Sequence, residues 1–317
     1  MNSIPTLQNE ERALQLLRAR TRTYSCATSI MFLQVVLTVI FPVAGTAAAL
    51  VWSGLVPYIA AASLVIAIAD PWIDRSYKMR LKRAAKISEQ FDCAVLGLPW
   101  DQFTVGDRVE ADDIHTAAKR YSKRHDDSDL RDWYPSNIGP APMHLARIIC
   151  QRSNLRYDSK LRWSYASIIR ITAALIVAGL FFSALHQNLS LADFVLRMVP
   201  VTPVLAWAAR EYYRQRDTAE PLEDLTKEVR QLWADALSGK CDELECCRRS
   251  REFQNAMYMR RANTPLIMPF LYRLKRARLE EEMNVDASEF LRQLDIPAAS
   301  ASSTDAAATS EGPTHSP

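Results

Sequence analysis

The sequence predicts an all-α membrane protein, with four transmembrane helices in two hairpins and a mainly helical cytoplasmic domain. The first observation is that no Asp, Glu, Lys or Arg occurs from Cys26 to Ala69. This stretch is twice as long as the ~20 residues that one helix needs to cross a bilayer. A second apolar block, Trp163 to Ala209, is interrupted by the polar segment 186–190. Because backbone amides must be hydrogen-bonded in lipid, we expect both blocks to be helical.

The average composition conceals this pattern. The 317 residues include 39 basic and 36 acidic side chains, for a net charge of +3, and 49% are hydrophobic. The mean hydropathy is −0.13. With 8 Gly and 6 Cys residues, the chain is neither collagen-like nor dense in disulfides, and its apolar fraction excludes wholesale disorder. These averages resemble a soluble protein only because apolar spans are combined with a polar, arginine-rich majority.

Each apolar block divides into a hairpin, over residues 26–69 and 166–209. The four predicted spans are 27–46, 50–69, 166–185 and 191–209. The first pair is expected to turn near Ala44-Gly45-Thr46 and the second through 186–190. The alternative, a helical hairpin buried in a soluble protein, is disfavoured by the length of the uncharged run. A cleaved signal peptide is excluded because this run continues far beyond the length of a signal sequence.

Basic residues predict the orientation of the spans. Arg and Lys are frequent before the first span, between the hairpins and after the fourth span, whereas the two short turns contain neither. By the positive-inside rule, the N- and C-termini and the central segment are therefore expected in the cytoplasm. Only two short turns would then face outward, so we expect no external domain.

The remaining sequence divides into cytoplasmic segments. We predict an N-terminal helix over 1–25, a sensor region over 70–165 and a helical region over 210–296. Residues 297–317 are mostly small residues, Pro, Ser and Thr, which cannot form a packed core, so a disordered tail is expected. Elsewhere the apolar spacing is helical, with few β-branched runs.

Individual helices follow from this spacing and from capping residues. The second span is expected to continue as an amphipathic helix over 71–98, whose C-terminal end has weak strand character. Asp112 or Asp113 can cap a short helix that extends through Lys123. The further predicted helices are Pro142 to about Asn154, 156–185, 220–238, 243–262, 265–282 and 286–294, with Pro142 and Pro221 in first turns.

No catalytic signature occurs in the chain. A phosphate loop, G-x-S-x-G, H-E-x-x-H and the glycine-rich dinucleotide fingerprint are all missing. No other histidine and no cysteine lies three or four residues from any of the 5 histidines. Cys241, Cys246 and Cys247 cluster without a C-x-x-C motif, which favours reduced thiols. We therefore expect no enzymatic activity, no metal site and no cofactor; an intramembrane enzyme is the disfavoured alternative.

Polar residues within the spans are candidates for a pore lining. Gln34 and Thr38 share one face of the first span, and Arg170 lies a little way into the third. Asp193 and Arg197 share a face of the fourth, where Pro200 and Pro203 predict a kink. Such groups usually face protein or water, and one interpretation is a polar path between subunits. The alternatives are snorkelling of Arg170 to the interface and an Asp193–Arg197 pair within one bundle.

The cytoplasmic segment 131–162 combines aromatic rings with spaced arginines. Guanidinium groups bind phosphate through paired hydrogen bonds, and aromatic faces stack on bases. A small anionic nucleotide is one ligand that fits this composition; anionic lipid headgroups are the alternative. The candidate nucleotide-binding residues are Trp133, Tyr134, Arg147, Gln151, Arg152 and Asn154.

An ordered set of motifs connects these segments. The motifs are LLRARTRTYSCA at 16–27, FDCAVLGLPW at 91–100, DWYP at 132–135, ARIICQRSNLRYDSKLRWSY at 146–165 and SREFQNAMYMRRANTPLIMPFLYRLKRARLEEEM at 250–283. In this order, around two span pairs, they resemble the SMODS-associating four-transmembrane effector proteins of bacterial cyclic-oligonucleotide-based anti-phage signalling systems. Tyr157 departs from the family pattern, in which Trp is expected.

The resemblance implies a function that periodicity does not show. In such systems a synthase makes a cyclic di- or trinucleotide messenger on phage infection. The effector senses this messenger through its cytoplasmic part and damages the bacterial inner membrane, in which it is a multi-pass protein. We expect a homo-oligomer, because four spans are too few to enclose a sizeable aqueous path. The alternative function is a membrane-anchored scaffold that recruits a cytoplasmic partner without forming a pore.

Overall fold

A computed structural model of the protein describes residues 1–294, whose regular secondary structure is entirely helical, with no strand. The α-helices are α1 (Ile4–Leu7), α2 (Glu11–Val35), α3 (Phe41–Val51), α4 (Val56–Leu96), α5 (Gln102–Val105), α6 (Ala111–Ser122), α7 (Met143–His186), α8 (Leu191–Met198), α9 (Thr202–Leu237), α10 (Glu243–Asn263) and α11 (Pro269–Arg292). Side chains at 50, 51, 53, 196, 197, 200, 269 and 273 are outside this description, as is the predicted tail 297–317.

The apolar blocks form two hairpins, in which α2 and α3 pack along α4 and α7 packs along α9. A π-helical turn, Val36–Ile40, joins α2 to α3 without a break. Within the described residues, three helices are long and apolar enough to span a membrane: Glu11–Ala49, Val56–Leu96 and Met143–His186. The predicted fourth span, 191–209, is helical but is divided by the 3₁₀ turn Val199–Val201 between α8 and α9. Proline lacks a backbone N–H, so Pro200 and Pro203 account for this division.

The position of the first turn differs from the prediction. The second hairpin turns at 187–190, as expected, but the first reverses at Trp52–Leu55 and not at Gly45. Gly45 lies inside α3, where an added Cβ would be 2.8 Å from Cγ2 of Ile59. This glycine therefore allows α3 and α4 to approach closely, as small residues do between membrane helices.

Several predicted breaks between helices are absent. The predicted helices Pro142–Asn154 and 156–185 are the single helix α7, in which Pro142 is the N-cap and its carbonyl accepts the Ala146 amide at 2.9 Å. The helix predicted from 220 is part of α9, so Pro221 lies in a helix interior. Burial of the neighbouring Ala219 and Leu222 in the core outweighs the lost amide bond.

Three smaller expectations were also wrong. Residues 94–96, with weak strand character, are the last turn of α4, which ends at Gly97 in the left-handed conformation (φ 61°). The short helix Ala111–Ser122 has Glu110 as its N-cap, so Asp112 and Asp113 lie in its first turn and not at its cap. The predicted helices 265–282 and 286–294 are the one helix α11, because Ala287, Phe290 and Leu291 pack into the same core.

One hydrophobic core unites the segments on either side of the second hairpin. It is formed by α1, the first half of α2, the second half of α4, α6, the first half of α7, the second half of α9, α10 and the end of α11. Its largest fully buried side chains include Leu17, Phe91, Tyr134 and Ile149. We call this unit the cytoplasmic body, after the side of the membrane on which the basic residues predict it to lie; four of its eight helices, α2, α4, α7 and α9, are continuations of the apolar spans.

The contact of Gly45 with α4 yields a testable prediction. We expect Gly45→Leu to lower the free energy of unfolding by about 1–3 kcal/mol, because overpacking forces α3 away from Ile59. Gly179→Leu is the matched control, since nothing lies within 4 Å of an added Cβ there. The measurement is the thermal midpoint of the purified protein in detergent. Equal midpoints for both variants would contradict close packing at Gly45.

Candidate functional site

The aromatic pair at the start of the candidate segment is built into the cytoplasmic body. Tyr134 is fully buried, and its hydroxyl donates to Oδ1 of Asp92 at 2.6 Å. Its backbone amide donates to Oε1 of Gln8 at 2.7 Å. Trp133 is half-buried and lies 4.3 Å, ring centroid to guanidinium carbon, from Arg20. Asn154 Nδ2 donates to the Tyr134 hydroxyl at 3.2 Å, so the structure brings these two predicted residues together.

Arg147 and Gln151 contact other helices. Arg147 donates from Nε to the Leu96 carbonyl at 2.5 Å and from Nη2 to the Gly97 carbonyl at 2.9 Å. It therefore binds the free carbonyls at the C-terminus of α4, as cations do at helix ends. Gln151 is fully buried and donates to the Ser250 carbonyl of α10 at 2.7 Å. The six predicted residues thus do not share one open surface.

Sequence reasoning missed a buried polar network between α4 and α10. Glu89 accepts from Arg251 Nη2 at 2.6 Å, and Asp92 forms an ion pair with Arg261. Gln254 bridges the two acids, donating to Glu89 at 2.9 Å and to Asp92 at 2.8 Å. Burial, followed by the charge of Asp92, raises the pKa of Glu89. The sequence feature that could have revealed this network is the pair Glu89 and Asp92, two acids three residues apart on the otherwise apolar face of α4.

A group of arginines lies where α7, α9 and α11 meet, and we call it the arginine cluster: Arg152, Arg156 and Arg230. Arg152 and Arg156 both pair with one carboxylate of α11, Asp286, and Nη1 of Arg156 lies 2.8 Å from its Oδ1. Burial, together with the charges of Arg156 and Arg230, lowers the pKa of Arg152 to about 10. With three guanidinium groups and one carboxylate, the cluster has more positive than negative charge.

The surroundings of Arg152 combine a polar face and an apolar face. Its side chain is only 4% exposed, and its guanidinium lies 4.5 Å above the ring of Phe290. Trp233 packs edge-on against Phe290 at 4.7 Å between centroids. Among the described residues, Nε of Arg152 has no hydrogen-bond partner.

A second polar assembly joins the body to the bases of the spans. Arg162 of α7 donates to Oε1 of Gln215 on α9 at 2.8 Å and to the Pro265 carbonyl at 3.1 Å. The Leu266 amide, one residue further along, donates to the Tyr77 hydroxyl of α4 at 3.1 Å. The Leu266 side chain packs against a cluster that includes Ala27 of α2. We call this arrangement around the α10–α11 connection, 264–268, the boundary joint.

A cleft of about 820 Å³ opens between α2, the end of α4 and the 98–111 segment. Its charged lining residues are Glu10, Arg12, Asp107, Arg108 and Glu110. Arg108 lies 5.1 Å above the ring of Trp100, which also lines the cleft. The volume suits a small ligand, but three acids against two arginines give the lining a net negative charge.

The predicted intramembrane polar residues have separate partners. Gln34 donates from Nε2 to Asp70 on α4 at 2.8 Å, and the Thr38 hydroxyl donates to the Gln34 carbonyl at 2.8 Å. Arg170 lies 6.0 Å from the ring of Tyr212 on α9. Asp193 accepts from the Ser190 hydroxyl at 2.6 Å in the turn before α8. The Arg197 side chain is outside the described residues.

The fold and these sites define a multi-pass, all-α membrane protein whose spans continue into an ion-paired cytoplasmic body. The chain belongs to the SMODS-associating 4TM effector domain family, whose model matches residues 2–290. It is 21% identical over 290 residues to a probable CBASS effector molecule of Bacillus cereus (strain VD146), covering 87% of this chain and 94% of that protein. No solved structure matches the chain. The family resemblance predicted from the motifs is confirmed.

The buried network gives a prediction about stability. We expect Asp92→Asn to lower the thermal midpoint in detergent by more than about 6 °C, because removing one member of a buried ion pair costs about 3–5 kcal/mol. Asp224→Asn is the control, since Asp224 is 70% exposed and pairs with an equally exposed Lys227. A midpoint for Asp92→Asn equal to that of the control would show that the pair is unimportant for the fold.

Proposed function

We propose that this protein is an anti-phage effector that senses a cyclic oligonucleotide through its cytoplasmic body and permeabilises the inner membrane. Family membership supports the effector role, and the relative from Bacillus cereus is described as a probable CBASS effector. The messenger would be made by a cyclic-oligonucleotide synthase acting in the same defence system. The cytoplasmic side would hold 1–25, 70–165 and 210–296, as the basic residues flanking the spans indicate.

The observation that carries this proposal is the continuity of α7. One unbroken helix, Met143–His186, contains Arg152 and Arg156 near its start and the predicted third span in its second half. An α-helix rises 1.5 Å per residue and resists bending, so a shift of its arginine-bearing end is transmitted to its membrane end. A messenger phosphate held by these guanidinium groups would therefore act directly on a span.

The boundary joint is the second element of the coupling. It connects α7, α9, α4 and the α10–α11 connection where the spans enter the body. A ligand changes the balance between two arrangements of these helices only through its different affinity for each. Moving a 1:99 equilibrium to 99:1 requires about 10⁴-fold tighter binding to the active arrangement. Permeabilisation by association of several copies would bring the intramembrane polar residues of different subunits together.

The proposed function predicts messenger-dependent leakage. Purified protein in liposomes loaded with a fluorescent dye is mixed with individual cyclic di- and trinucleotides. We expect at least one of them to release the dye, and linear nucleotides of the same bases to release none. Demonstrated binding of a cyclic nucleotide without any release would contradict the permeabilising function and favour a scaffold.

The boundary joint predicts a variant that binds but does not permeabilise. Arg162→Ala removes the side chain that connects α7 to α9 and to the α10–α11 connection. We expect unchanged messenger affinity by calorimetry and a loss of at least 10-fold in the rate of dye release. Arg216→Ala, an exposed arginine on α9, serves as the control and should release dye normally. Release at the wild-type rate from Arg162→Ala would exclude the joint from the coupling.

A further inference from the structure

We propose that Asp286 is an internal anion that occupies a phosphate-binding site formed by the arginine cluster, and that a phosphate of the messenger displaces it. The inference rests on the proposed function for the identity of the ligand. Beyond that function, it identifies where the phosphate binds, which carboxylate competes with it, and which element is released, namely the C-terminal half of α11. Asp286 therefore keeps the body in its resting arrangement.

The charge balance at the cluster favours a further anion. Arg152 and Arg156 share the single carboxylate of Asp286, while Arg230 is close enough for its charge to act on Arg152 and forms no ion pair with the described residues. Arg152 is buried, yet its Nε has no hydrogen-bond partner among the described residues. A buried donor left unpaired is costly, so a ligand oxygen that reaches Nε would be strongly favoured. A phosphodiester has the same charge as an aspartate and likewise presents two anionic oxygens, which guanidinium groups bind through paired hydrogen bonds.

Phe290 is placed to contact the base of a nucleotide whose phosphate lies at the arginine cluster. It lies directly beneath the guanidinium of Arg152, one turn beyond Asp286 on the same face of α11. Trp233 lies edge-on beside it. Phe290 and Trp233 are themselves buried, so a base adjacent to the bound phosphate would stack on them once α11 has moved away from Arg152. The cluster thus offers contacts for both parts of a nucleotide.

Two other places in the body fit an anion less well. The cleft of about 820 Å³ has more acidic than basic lining residues. Arg147, the other predicted phosphate ligand, donates to the carbonyls of Leu96 and Gly97 that end α4. Displacing Arg147 would leave those carbonyls unpaired. At the arginine cluster, by contrast, the group to be displaced is itself an anion.

A movement caused by the release of Asp286 would be transmitted to the membrane boundary through α11. The C-terminal half of this helix contacts the body through Asp286 and Phe290, and a further ion pair joins Glu282 to Lys160 at 2.6 Å. Its N-terminal half buries Leu271 in a cluster with Tyr165 of α7, at the base of the third span. A change at one end of α11 therefore alters the packing at the other.

The test uses Asp286→Asn, which keeps the size of the side chain and removes its charge. With inorganic pyrophosphate as a probe of the anion site, we expect at least 10-fold tighter binding than wild type. We also expect dye release from liposomes without any messenger to rise several-fold. Glu289→Gln is the matched control on the same helix, because Glu289 is half exposed and pairs with Arg292 within α11 itself; it should change neither quantity.

A second variant keeps the test informative if Asp286→Asn folds poorly. Arg230 is exposed, so Arg230→Gln should fold normally and weaken pyrophosphate binding at least 5-fold. Unchanged pyrophosphate affinity in both variants would overturn the inference, even if messengers release dye from the wild-type protein. Tighter pyrophosphate binding by Asp286→Asn, with no release by any messenger, would instead support the anion site and contradict the proposed function.

Discussion

The structure depends on one constraint, which is that a backbone inside lipid must hydrogen-bond to itself. It makes every apolar segment helical, and in this chain the helices do not end where the apolar residues end. Val56–Leu96, Met143–His186 and Thr202–Leu237 all continue from the apolar blocks into the cytoplasmic body. The body is therefore not a separate domain attached by a linker. The proposed function uses this continuity, since a rearrangement of the core would move the spans.

Polar interactions fix how these helices meet. Hydrophobic packing alone tolerates shifts of helices past one another, whereas buried ion pairs are satisfied in few arrangements. Glu89 and Asp92 on α4 accept from Arg251 and Arg261 on α10, and Gln254 bridges the two acids. The arginine cluster has a different character, because its positive charge is only partly balanced by Asp286. The buried network of α4 and α10 holds the body together, whereas the arginine cluster can exchange its anion.

The sequence allowed the spans and the helical class to be predicted because long uncharged runs have few structural solutions. Helix boundaries in the body were less predictable. Pro142 and Pro221 suggested starts of helices. Pro142 does precede a helix, as the N-cap of α7, but Pro221 is interior to α9, where long-range packing of Ala219 and Leu222 outweighs local propensity. Arg152 was identified as a candidate ligand from its chemistry alone. Its competitor Asp286 could not be, because the two residues are far apart in sequence and meet only in the folded body.

The central claim is that a ligand in the cytoplasmic body moves α11 relative to its neighbours and thereby permeabilises the membrane. The most direct test is a distance measurement by pulsed electron paramagnetic resonance in liposomes. Spin labels on unnatural amino acids at the exposed positions Arg278 of α11 and Lys227 of α9 report this movement. The account predicts that a cyclic nucleotide that releases dye also shifts the distance distribution between the labels. Dye release with an unchanged distribution would contradict it.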